Sequence, residues 1–178
     1  MKLKWRSLAI SLGFVGVLRS ITPVEARETR FICGSWRNIP MTVAQTHRGN
    51  IPVIYWVSDW VNDPNSELTP KSRCKIVSNN FQQAFDRGDL QYITTGYKNG
   101  QNIVCVAQYN GGPCHAQLFT LKPDSDPSAS LRQLMNIGEN YASGAGGPLE
   151  QASGQRIYVN FDAFLEQAAN SALEHPNN

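Results

Sequence analysis

Apolar positions along this chain change their spacing several times, and each change marks an element. Phe31-Ile32-Cys33, Met41 to Thr46 and Ile51 to Trp56 are short runs suited to strands, and Gly49-Asn50 between the last two is a hairpin signal. Alternation along the third run puts Pro52, Ile54 and Trp56 on one face, which assigns Trp56 to the core. Val57 to Leu68 then mixes Asp59, Asn62, Asp63, Pro64, Asn65 and Ser66, whose short polar side chains compete for backbone hydrogen bonds. That composition predicts a surface loop.

The period then lengthens to that of a helix. Thr69 caps it and Pro70 takes its first position, where a missing N–H costs nothing. Cys74, Val77, Phe81, Ala84 and Phe85 fall in one arc of about 100°, and Gly88 stops the run. Leu90 to Tyr97 and Asn102 to Gln108 flank Asn99-Gly100, a dipeptide that accepts positive φ at both central positions of a tight hairpin. His115 to Leu121 adds a third strand and makes a meander. Ser125 or Asp126 caps a second helix running to about Asn140, with Leu131, Leu134, Met135, Ile137 and Tyr141 as its apolar face.

Residues 143–155 have the Gly, Ser and Pro content of a connector. Beyond it, Arg156 to Val159 reads as a strand and Phe161 to Leu173 as a helix with Phe164, Leu165, Ala168 and Ala172 inward. Residues 156–178 are therefore expected to form a C-terminal appendage to the main domain, residues 27–142. The fold class expected is α+β: an antiparallel sheet of hairpins and a meander, with about three helices on one side.

The N-terminus changes the picture of charge. Lys2, Lys4 and Arg6 precede an apolar run from Leu8 to Leu18, and Val24-Glu25-Ala26 ends in a small residue. This order reads as a secretory signal peptide, residues 1–26, cleaved after Ala26, with a run too short to span a bilayer. Its loss removes four of the 16 cations (Lys2, Lys4, Arg6, Arg19) and one of the 14 anions (Glu25), leaving 12 against 13. The basic balance of the whole chain thus belongs to the discarded segment. Nucleic acid is excluded as a partner, because binding it needs a persistent positive surface.

Export to a periplasm or equivalent lumen also decides how the four cysteines are read. In an oxidising compartment they pair. Cys105 and Cys114 enclose a Gly- and Pro-containing turn and pair at the base of a hairpin, which leaves Cys33 for Cys74 on the inward face of the first helix.

A series of spaced motifs carries a further resemblance. Phe31-Ile32-Cys33, Pro40-x-Thr42-x-Ala44, Ile51-Pro52 through Trp56, Thr69-Pro70-x-x-Arg73-Cys74, Val77-Ser78-x-x-Phe81-Gln82, Asn99-Gly100 through Val104-Cys105 and Leu118-x-Thr120-Leu121-x-Pro123 follow in one order. The chain resembles the cyanobacterial circadian oscillating protein family over about residues 31–137. The resemblance implies a small exported protein whose abundance oscillates daily and which associates peripherally with membrane. It brings no catalytic residues to carry over.

Catalytic and metal chemistry find no support in the motifs. Cys105, Cys114 and His115 lack the paired spacing of zinc ligands, so no metal or other cofactor is expected. Asp124-x-Asp126 lacks the glycine and glutamate of a calcium loop, since Ala129 and Met135 stand there, and reads as a helix cap. No G-x-S-x-G elbow occurs, and Gly144-Ala145-Gly146-Gly147 lacks the Lys-Ser/Thr of a phosphate loop. His47, His115 and His175 each lie apart from any nucleophile motif.

Trp60, beside Asp59 and facing Arg73, is the candidate binding surface, where an indole stacks on a sugar or settles at a lipid boundary. Lys71, Arg73 and Lys75 form a small basic run beside it. The leading expectation is a non-enzymatic accessory protein held peripherally at a membrane surface or membrane protein. Alternatives are an extracytoplasmic module for a small ligand or glycan, and a hydrolase whose site assembles only in space.

Overall fold

The computed structural model describes residues 29–57, 68–135 and 156–174. It opens with a turn that the hydrophobic pattern does not disclose. Arg37 and Asn38 take φ of 48° and 64° and join β1 (Arg30–Trp36) to β2 (Ile39–Thr46). Positive φ at both central residues matches the twist of a two-residue hairpin, so both strands extend beyond the apolar runs that announced them.

β2 continues into β3 (Gly49–Tyr55) through a turn centred on His47 and Arg48, two residues before the one expected at Gly49-Asn50. The cause is local. Thr46 Oγ1 accepts from the Arg48 N–H and donates to the Gly49 carbonyl, both at 3.1 Å, and Gly49 supplies φ of 126°, which side-chain-bearing residues avoid.

α1 (Pro70–Asp86) starts as its sequence dictates: Thr69 Oγ1 accepts from the Ser72 N–H at 3.2 Å, with Pro70 at the first position. Gly88, at φ of 73°, follows its end. Cys74, Val77, Phe81 and Ala84 are buried, with Phe85 packed beside them. β4 (Tyr92–Lys98) and β5 (Gln101–Ala107) close over Asn99 and Gly100 at φ of 52° and 78°, and β6 (Ala116–Thr120) completes the meander. α2 (Pro127–Leu134) is capped by Asp126, whose carboxylate accepts from the Ala129 N–H at 2.7 Å. Leu131 and Met135 are buried, whereas Ile137 and Tyr141 lie outside the described residues.

β7 (Tyr158–Asn160) pairs antiparallel with β4, Val159 opposite Ile93, and leads into α3 (Phe161–Glu174). The strands thus form two antiparallel sheets, ordered β1-β2-β3 and β6-β5-β4-β7. The helices join them: α1 packs on β1, β2 and β6, α2 on β3, β4 and β5, and α3 on β3 and β7.

The C-terminal segment is no peripheral attachment. Phe161 lies 5.8 Å, ring centroid to centroid, from both Phe31 and Phe81, which are themselves 5.5 Å apart, and Phe164 stacks on Phe161 at 5.9 Å. One aromatic cluster therefore binds the first strand, the first helix and the last helix. Such pairs add to the gain from burying their area. Two disulfides complete the fold. Cys33–Cys74 ties β1 to α1 and Cys105–Cys114 closes the loop after β5, with Cα atoms 5.4 and 5.6 Å apart.

Candidate interaction surface

Side chains alternate across a sheet, so the first sheet has two faces. Phe31, Cys33, Thr42, Ala44, Ile51 and Ile54 turn inward toward α1 and the aromatic cluster. On the outer face Ile32 stands opposite Val43, Gly34 opposite Met41 and Trp36 opposite Ile39, with Pro52 and Tyr55 next to Val43 and Met41 on β3. An outer face of a sheet normally carries polar side chains. This one is apolar for most of its length: Ile32 is 39% and Trp36 43% exposed, Ile39, Met41, Pro52 and Tyr55 are half-buried, and Val43 in its middle is buried. Partial burial raises the Tyr55 phenol pKa above its usual value.

Cations frame that face. Arg30 shares the alternation of Ile32 and Trp36, and the Arg37 guanidinium lies 4.3 Å from the centroid of the Trp36 ring. From Thr29 to Val57 the chain holds three arginines and no aspartate or glutamate. Arg48 reaches Glu166 of α3 at 3.6 Å, whereas Arg30 and Arg37 meet no carboxylate among the described residues.

The expected surface is placed differently. Trp60 and Asp59 lie outside the described residues. Arg73 is buried rather than presented to solvent, with its guanidinium 5.3 Å from the centroid of the Trp56 ring. The reason is its place on α1: at about 100° per residue it falls within about 20° of Ala84, on the rim of the inward stripe. Its stem packs while its charged head lies over an aromatic face. Trp56 is core and lies with Ile54 on the inward side as expected, whereas the register shift at Thr42/Val43 turns Pro52 to the outer face. Its Nε1–H donates to Thr42 Oγ1 at 3.1 Å, Ser78 Oγ–H donates to the same oxygen at 3.1 Å, and Phe119 meets the indole edge-on at 5.6 Å. Lys71 and Lys75 remain exposed.

The histidines separate. His47, with Arg48, Asp162 and Glu166, lines a shallow cleft of about 250 Å³ between the β2–β3 turn and α3. His115 Nε2 lies 3.3 Å from Asp89 Oδ1, and Asp89 Oδ2 accepts from Arg87 Nε at 2.8 Å. A nearly buried carboxylate is thereby satisfied where α1 gives way to β4. Among the described residues no three His, Cys, Asp or Glu side chains gather as metal ligands, and no helix is long and apolar enough to cross a membrane.

The outer face is not legible in the apolar runs because β1 and β2 extend beyond them. The signal was present: Arg37-Asn38 before an Ile-Pro start, and a 29-residue stretch from Thr29 to Val57 without a carboxylate.

Compared with known proteins, residues 30–166 match the family model described as circadian oscillating protein COP23. The match covers β7 and the start of α3 as well as the main body, which agrees with the place of Phe161 in the core. No curated protein and no solved structure is similar to the chain.

Proposed function

The chain belongs to the circadian oscillating protein COP23 family, and from that premise we propose that it is an exported, non-enzymatic accessory protein held peripherally at an anionic membrane surface by the outer face of its first sheet. One observation carries the reading: an apolar sheet face with a half-exposed Trp36, arginines at both ends of β1 and no carboxylate from Thr29 to Val57. Indole and phenol rings favour the headgroup boundary, where one end of the ring is apolar and the other wet. Arginines beside them meet lipid phosphates while their stems stay in apolar surroundings. The two disulfides suit an oxidising compartment.

Co-sedimentation with vesicles tests it. Binding to phosphatidylglycerol vesicles should exceed binding to phosphatidylcholine vesicles and fall as salt is raised. Each arginine near an anionic surface is worth about 1 kcal/mol, so Arg30→Gln with Arg37→Gln should weaken binding roughly 30-fold. Equal binding to neutral and anionic vesicles, or a double variant that binds unchanged, would sink the proposal. In cells, a protein found wholly in the soluble fraction at low salt would count equally against it.

A further inference from the structure

A sheet ends in strands whose outward N–H and C=O groups can pair with another chain, and proteins normally close such edges. Among the described residues the two sheets end in four edges, and three of these are closed. β3 carries Pro52, which has no N–H to offer. The Leu118 carbonyl of β6 accepts from Asn80 Nδ2 at 2.7 Å, and β7 is only three residues long.

β1 differs. Its Phe31 N–H points away from β2 and donates to Gln82 Oε1 at 2.7 Å. In an antiparallel ladder alternate residues face alike, so Cys33 and Ser35 also turn their N–H and C=O groups outward. Ser35 stands opposite Pro40, whose carbonyl faces the other way and accepts from the Trp56 N–H at 2.9 Å. Among the described residues nothing bonds the outward main chain of Cys33 or Ser35. β1 itself carries no proline or lysine, and no register shift interrupts its seven pairs with β2.

We infer that β1 is a self-pairing edge: a second copy adds antiparallel to it about a two-fold axis at Gly34 and joins two three-stranded sheets into one. The axis follows from which groups are open. Centred on Cys33, the pairing would call on the Phe31 N–H that Gln82 already holds; centred on Ser35, it would pair Cys33 with the turn residue Arg37. At Gly34, Cys33 faces the partner's Ser35 and the reverse, for about four main-chain hydrogen bonds. On the outer face Ile32 comes beside the partner's Trp36, an apolar cross-strand pair made twice. Arg30 and Arg37 fall opposite the partner's Asn38 and Phe31, so like charges do not meet. This self-complementarity favours a second copy over a foreign strand.

Sedimentation of the disulfide-bonded protein over a concentration series, without lipid, should show monomer giving way to dimer. Ser35→Pro removes one outward N–H and leaves the β1–β2 ladder whole. It should weaken self-association roughly tenfold, as expected for losing one or two main-chain hydrogen bonds at the interface. Ile32→Lys places an ammonium beside the partner's Trp36 and should act likewise without altering the main chain, which guards against a misfolded proline variant. A photoreactive phenylalanine analogue at position 36 should cross-link to the partner's peptide carrying Ile32. A monomer at every concentration, a dimer that survives both substitutions, cross-links to another surface, or capture of an unrelated extended segment in place of a second copy would each overturn the inference. Lipid is absent from these measurements, so their failure and that of membrane attachment are told apart.

Discussion

Gly96 is fixed by what lies over it. A Cβ built there would run into Cys114 Sγ, with Cys105 Sγ 3.6 Å away, so β4 can pass beneath the Cys105–Cys114 bridge only as glycine. Gly96→Ala should destabilise by about 1–3 kcal/mol, as overpacking does. Adding it to a Cys105→Ala, Cys114→Ala background should recover most of that loss in a double-mutant cycle measured by urea unfolding. An undiminished penalty there would show that the bridge is not what excludes the side chain. Tyr55 gives a second residue-scale outcome. Because burial raises its folded pKa above the unfolded value, its contribution is whole below about pH 10 and is lost as pH rises through the folded pKa. Alkaline unfolding should therefore be milder in Tyr55→Phe than in the parent.

At the scale of elements, the two bridges differ in what they enclose. Cys33–Cys74 spans 41 residues and Cys105–Cys114 spans 9. Loop entropy assigns about 4 kcal/mol to the first and about 2.5 to the second, so replacing the first pair by alanine should lower Tm further. Element boundaries also show how far sequence alone can reach. The α1 stripe, both helix caps, the Asn99-Gly100 hairpin and both disulfide pairings were legible because each rests on residues within a few positions of one another or on pairing by elimination. The His47-Arg48 turn was misplaced by two residues because a single hydroxyl, Thr46 Oγ1, selects it over the glycine beside it. Arg37-Asn38 is a weak signal for a similar reason: arginine at positive φ is rare, and here the pairing of β1 with β2 closes the turn, with Trp36 opposite Ile39.

Across the whole molecule, what the sequence withheld is long-range. Nothing local tells that β7 pairs with β4, or that α3 brings Phe161 against Phe31. The division into two sheets depends on the same distant contacts, and so does the site. Trp60 stood out as an isolated aromatic in a polar stretch, whereas the outer face of β1–β3 emerges only once three strands lie side by side. Phe161→Ala removes the ring common to three elements and should destabilise by about 3–5 kcal/mol, a large part of the roughly 5–15 that holds an ordinary domain together. Thermal unfolding checks this. A shift no larger than that of an exposed-site control such as Tyr109→Ala would mean the last helix merely leans on the core.

The cluster of Phe31, Phe81 and Phe161 has a consequence for the order of events in synthesis. Chains emerge from the ribosome N-terminus first, yet this hydrophobic centre lacks a wall until residues beyond position 160 have been made. A chain that has passed Phe81 but not Phe161 holds two of the three rings without the third, so this core closes only late. A chain stalled or nicked before Phe161 leaves Phe31 and Phe81 without their third ring, and with it the kind of apolar surface that drives aggregation.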